Sequence, residues 1–191
     1  TISTTNLTAS SYGLRVGNCD RFDVSKNKVN NVGSYGMYFT SANYQSASGM
    51  ARARISNNMI GGTFFSSNAN GLYVTTLSRE LDIFHNTVNI NTTTSGYAFF
   101  MQQTSVGDYT GLDIRNNCFV TTNTSNYAGW FYNSTAANPF NAFDYNLVYN
   151  AFPGSLQFVL GSSGYYGNSW IGAGGFNANS KFDYKVKKRL S

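Results

Sequence analysis

The sequence predicts an all-β fold, a solenoid of short stacked strands, and three observations predict it. A phrase of apolar residues flanking a polar one and closed by an asparagine recurs about every 30 residues. A second phrase, rich in aromatic and β-branched residues and bounded by Gly, Asn or Ser, interleaves with it. Helical periodicity is nowhere sustained.

The elements follow in order. Gly13-Leu14-Arg15-Val16 opens the first unit, and Phe22-Asp23-Val24 with Asn27-Lys28-Val29 completes it. Gly36-Met37-Tyr38-Phe39 pairs in the same way with Ile55-Ser56-Asn57-Asn58-Met59-Ile60. The third unit holds Gly71-Leu72-Tyr73-Val74 and Leu81-Asp82-Ile83 with Asn86-Thr87-Val88. The fourth holds Gly96-Tyr97-Ala98-Phe99 and Leu112-Asp113-Ile114 with Asn117-Cys118-Phe119. The fifth holds Gly129-Trp130-Phe131-Tyr132 and Phe143-Asp144-Tyr145-Asn146-Leu147-Val148, and Ser155-Leu156-Gln157-Phe158 follows more loosely. No unit is apolar enough to form a core alone, whereas stacked units bury one continuous interior.

Asn27, Asn58, Asn86, Asn117 and Asn146 are separated by 31, 28, 31 and 29 residues. Recurrence at one turn of each coil predicts a ladder of amides that donate and accept along the column. Asparagine also tolerates the left-handed backbone that a sharp turn needs. Phe39 to Ile55 and Phe99 to Leu112 are longer connections than Val16 to Phe22 or Val74 to Leu81, so larger loops at 40–52 and 101–111 are expected on one face.

The phrases 55–60, 112–119 and 144–150 resemble coils of the right-handed parallel β-helix repeat proteins, the pectate-lyase-like superfamily, and especially its secreted Bacteroidetes members. The resemblance covers about residues 10 to 160. It implies a right-handed parallel β-helix of about five to six coils over 1–160, with 161–191 as an irregular last coil, cap or linker. It is specific for fold and not for activity, because the superfamily holds lyases, glycoside hydrolases, tailspikes, adhesins and noncatalytic stalks.

Composition narrows the function classes. Charged residues make up 11% of the chain, and the net charge of +5 is concentrated: Lys181, Lys185, Lys187, Lys188 and Arg189 lie in the last eleven residues beside Asp183. Without this tail, 8 basic residues face 7 acidic ones, so no basic face for nucleic acid is expected. No run of 18 apolar residues exists, so no membrane insertion is expected within this segment. Cys19 and Cys118, about three coils apart, are too distant for a disulfide. Two cysteines and one histidine exclude the usual zinc clusters, and neither a metal nor a cofactor is expected.

Asp23, Arg54, Asp82 and Asp113 occupy one place in successive phrases and should form an outward column. Asp82 and Asp113, with Arg115, are the catalytic candidates, since carboxylates one coil apart approach the roughly 5 Å separation of a retaining glycosidase pair. The competing account is a charge ladder compensated by Arg54. His85, the single histidine, reads as a turn residue stacked on Asn57 and Asn116. The aromatics are the stronger lead: Tyr38, Tyr73 and Phe131 are expected outward on one strand face, with Tyr44 and Tyr109 in the long loops, as a ligand-binding set.

The expectation is therefore a noncatalytic module of a secreted or cell-surface bacterial protein, serving as stalk, adhesin or glycan-binding surface. Its partners would be a polysaccharide, a host or neighbouring surface protein, and adjoining modules of a longer chain. A polysaccharide lyase or glycoside hydrolase is the alternative, and a phage fibre or tailspike module a further one.

Overall fold

The computed structural model describes residues 1–3, 11–44, 51–66, 68–75, 77–91, 95–102, 111–122, 129–132, 140–150, 158–160, 163–165 and 181–182. For residues 3, 95, 129–132, 158–160, 163–165 and 181–182 it describes the backbone alone. In chain order the strands are β1 (Ile2–Ser3), β2 (Tyr12–Gly17), β3 (Asp23–Ser25), β4 (Lys28–Asn30), β5 (Tyr35–Thr40), β6 (Ala53–Ser56) and β7 (Met59–Gly61). There follow β8 (Asn68–Thr75), β9 (Leu81–Phe84), β10 (Thr87–Ile90), β11 (Ser95–Gln102), β12 (Leu112–Arg115) and β13 (Cys118–Thr121). The last are β14 (Gly129–Tyr132), β15 (Phe140–Asp144), β16 (Leu147–Asn150), β17 (Phe158–Leu160), β18 (Ser163–Tyr165) and β19 (Lys181–Phe182).

These strands stack into three sheets of a parallel β-solenoid. Sheet I runs β1-β4-β7-β10-β13-β16-β19, sheet II β2-β5-β8-β11-β14-β17-β18, and sheet III β3-β6-β9-β12-β15. Every pairing is parallel except β17 with β18. From β2-β3-β4 to β14-β15-β16 the chain passes repeatedly from sheet II to sheet III to sheet I.

The register stacks like on like. Val29, Ile60, Val88, Phe119 and Val148 align on sheet I, and Val24, Ile55, Ile83, Ile114 and Phe143 on sheet III. Met37, Leu72 and Phe99 align on sheet II, as do Phe39, Val74 and Met101. Nearly all of these side chains are completely buried, so the repeat supplies one unbroken core along the axis.

Two local features of the backbone differ from expectation. The left-handed residue is not the ladder asparagine but the one before it: Lys26, Asn57, His85, Asn116 and Tyr145 have φ between 55° and 59°. That kink turns the next side chain inward, where each amide Nδ2 donates to the Oδ1 of the following coil. The distances are 3.1 Å for Asn27 to Asn58, 2.9 Å for Asn58 to Asn86, 3.0 Å for Asn86 to Asn117 and 3.0 Å for Asn117 to Asn146. The same oxygens also accept the backbone N–H of the preceding asparagine, and the last four Nδ2 groups donate to carbonyls of the preceding coil, as Asn117 does to Ile83.

The second difference lies on sheet II. Gly13, Gly36 and Gly71 face inward, where a Cβ would collide with Val29, Ile60 and Val88 of sheet I. The ladder pairing skips this position, and the next residue also points inward, so two consecutive buried residues separate two outward ones. Tyr35 and Tyr38 therefore emerge on the same face although three positions apart, with ring centroids 5.2 Å from each other. The register also moves the fourth unit by two residues: Ala98-Phe99-Phe100-Met101, not Gly96-Tyr97-Ala98-Phe99, matches Gly71-Leu72-Tyr73-Val74.

Candidate functional site

The glycine kink gives the outer face of sheet II two adjacent columns. One runs Arg15, Tyr38, Tyr73, Phe100 and the other Tyr12, Tyr35, Asn70, Tyr97. In the first, the rings stack without a break: Tyr38 on Tyr73 at 5.1 Å and Tyr73 on Phe100 at 4.9 Å. Arg15 caps its end, with its guanidinium over both Tyr12 and Tyr38 at 5.5 and 5.6 Å. In the second, Tyr12 stacks on Tyr35 at 5.0 Å, and the column is then interrupted at Asn70 before Tyr97.

The interruption opens a shallow pocket of about 320 Å³, lined by Tyr35, Asn68, Asn70, Tyr73, Tyr97, Phe100 and Gln102. None of these side chains carries a charge at neutral pH. Tyr73 forms the back of the pocket; its hydroxyl donates to Gln102 Oε1, and burial pushes its pKa up to about 12. Burial likewise raises Tyr35 and Tyr38. Asn70 is 6% exposed; its Nδ2 donates to Asn68 O at 3.2 Å, while its Oδ1 is covered and accepts no hydrogen bond. Buried amide oxygens without a partner are uncommon, so this one sets the pocket apart from ordinary surface.

The carboxylates lie elsewhere, on sheet III. Asp23, Arg54, Asp82 and Asp113 are in register as the repeat predicts. The cation that meets Asp82, however, is Arg52, not Arg54: Arg52 Nε pairs with Asp82 and Nη1 lies 2.5 Å from Glu80 Oε2. Its Nη2 donates to Leu81 O at 3.0 Å and Gly111 O at 2.6 Å, tying together three coils. Arg115 Nε lies 2.6 Å from Asp113 Oδ1. Burial raises the Asp113 pKa, and neighbouring Asp82 adds to the rise, despite the adjacent Arg115. Both candidate carboxylates thus have a guanidinium against them, Asp82 from the neighbouring coil and Asp113 from its own strand β12. His85 is exposed in its turn, its backbone N–H donating to Arg115 O.

Of the aromatic candidates, Tyr38 is half-buried and Tyr73, at 8% exposed, is a wall and not a projecting ring. Phe131 is corrected by the register: it pairs with Met101 of the inward column, and Trp130 pairs with Phe100. Tyr44 is exposed beneath the Arg79 guanidinium, 5.3 Å away. Tyr109 lies outside the described residues, as do 45–50 and 103–110 of the two long loops. Tyr35, Asn70, Tyr97, Phe100 and Gln102 are missing from the sequence-derived set because the Gly phrases start after Tyr35 and Asn70, stop before Phe100 and set Tyr97 in an inward place, whereas β5, β8 and β11 run through all five residues.

Among the described residues, no group of three or more His, Cys, Asp and Glu side chains is placed to hold a metal. Cys19 and Cys118 are both free thiols. No protein-family model matches the chain. No curated protein and no solved structure matches it either.

Proposed function

We propose that this chain is a noncatalytic β-solenoid module of a secreted or cell-surface protein, within the pectate-lyase-like group, that binds glycans on the outer face of sheet II. One observation carries the reading: Tyr12, Tyr35, Tyr38, Tyr73, Tyr97 and Phe100 form an aromatic surface, capped by Arg15 at the Tyr12 and Tyr38 end, that borders an open pocket with an uncharged lining. Ring faces of this kind match the apolar C–H faces of sugars, and amides between them offer hydrogen bonds to hydroxyls. A solenoid suits such a module, because its length can be extended by further coils without altering the face.

Hydrolysis or elimination is favoured by a single feature, the register of Asp82 with Asp113. A retaining mechanism needs one free nucleophile and one acid, and here Arg52 and Arg115 engage the pair.

The test is a panel of neutral and acidic polysaccharides scored both for retention and for new reducing ends or unsaturated products. The expected outcome is retention without products, weakened about tenfold by Tyr38→Ala or Tyr97→Ala, the scale of one lost aromatic contact in a binding site. Products that disappear in Asp82→Asn would overturn it in favour of an enzyme.

A further inference from the structure

Resting on that glycan-binding reading, we propose that the interruption at Asn70 is a slot for a single uncharged pyranose ring, held between Tyr35 and Tyr97. Register sets its dimensions. Tyr35 and Tyr97 each pair with Asn70, so their backbones are two strand spacings apart, about 9.6 Å. A ring in van der Waals contact with both walls needs about 3.5–4.0 Å on each side, or some 7–8 Å in all. Elsewhere on this face the columns are closed: Tyr12 and Tyr35 stack at 5.0 Å and Tyr73 and Phe100 at 4.9 Å, leaving no room for a guest.

The polar groups select the guest. Asn70 Oδ1 lacks a donor, so the ligand must bring an O–H or N–H to it. This oxygen is covered in the unliganded chain; reaching it takes a turn of the Asn70 amide about its soft terminal torsion, which exchanges the 3.2 Å bond from Nδ2 to Asn68 O for the bond from the ligand. Asn68 and Gln102 sit at the rim of the same pocket, where ring hydroxyls would meet amides. With no cation lining the slot, a uronate carboxylate would lose hydration without compensation, so neutral sugars are preferred over acidic ones. The slot thus combines two apolar faces, one buried acceptor and neutral lining, which is the complement of a pyranose chair.

Asn70→Tyr completes the Tyr12, Tyr35 and Tyr97 column and fills the slot, while Asn70→Ala keeps the space and removes the acceptor. The probes are methyl glycosides of glucose, galactose, mannose and N-acetylglucosamine, with glucuronate and galacturonate as acidic controls. Binding is read by saturation-transfer NMR, and near-ultraviolet circular dichroism checks that each variant retains its packed tyrosines. At least one neutral glycoside should bind the full chain. Asn70→Tyr should abolish that binding, Asn70→Ala should weaken it about tenfold, a typical effect of one buried hydrogen bond, and the uronates should bind more weakly. Unchanged binding in Asn70→Tyr, or uronates binding as well as neutral sugars, overturns the slot while leaving the glycan face intact. Failure of the chain to retain any glycoside or polysaccharide overturns both readings.

Discussion

Asn117 shows how much one side chain of the repeat contributes. Its Nδ2 donates to Ile83 O at 2.8 Å, Arg115 O at 3.0 Å and Asn146 Oδ1 at 3.0 Å, and its Oδ1 accepts both the backbone and side-chain N–H of Asn86. Asn117→Ala leaves several of these buried groups unpaired, at about 1–3 kcal/mol for each one that water does not reach. A loss of about 3 kcal/mol in urea unfolding is expected. Asn27→Ala, at the half-buried end of the column, should cost about 1 kcal/mol. Equal losses at the two sites would show that the number of buried groups left unpaired does not set the cost.

Asp113 makes a prediction of opposite sign. Because burial raises its folded pKa above the ordinary 3.8, the folded chain holds this proton to higher pH than the unfolded chain does. Its stability contribution is therefore full below 3.8 and falls as pH rises through the raised value. Asp113→Asn should make the chain more stable at pH 7 and flatten that decline. Denaturation midpoints measured from pH 3 to 7 check both parts, and a variant less stable at pH 7 would show that the Arg115 contact outweighs burial.

At the scale of elements, sheet II depends on its glycine column. A Cβ at residue 71 would meet Val88 of sheet I and lie 2.8 Å from Ala98 O. Gly71→Ala should cost about 1–3 kcal/mol by overpacking, and should also loosen the kink that brings Tyr73 beside Tyr35, visible as reduced tyrosine circular dichroism. Full stability with an unchanged spectrum would contradict the kink's role.

The same strands mark what the sequence makes legible. Sheets I and III are readable because their phrases carry an asparagine or an aspartate at fixed offsets. Sheet II is readable as strands but not in register, since Gly96 imitates Gly71 two residues early and a small shift exchanges faces. Gly129 imitates Gly71 as well, one residue late, so the sequence pattern sets Phe131 where Trp130 aligns.

For the whole molecule, repetition accounts for the stacked core, and the proposed binding site lies where the repetition is interrupted. The core columns, the asparagine turns and the contacts of Arg52 with Glu80 and Asp82 recur or link coil to coil, so each serves the stack. Asn70 breaks a column of tyrosines, and it does so where an amide oxygen lacks a partner and a pocket opens. No local pattern announces this, because the neighbours that define it, Tyr35 and Tyr97, come from the adjacent coils.

Hydroxyl-radical footprinting tests the central claim most directly, comparing the free chain with the chain saturated by its tightest polysaccharide from the panel. The account predicts that Tyr35 and Tyr97 on sheet II lose oxidation on binding, while exposed Met59 and Tyr145, on sheet I and in a turn, keep theirs. Protection at the peptides carrying Asp82 and Asp113, with Tyr35 and Tyr97 unchanged, would contradict it.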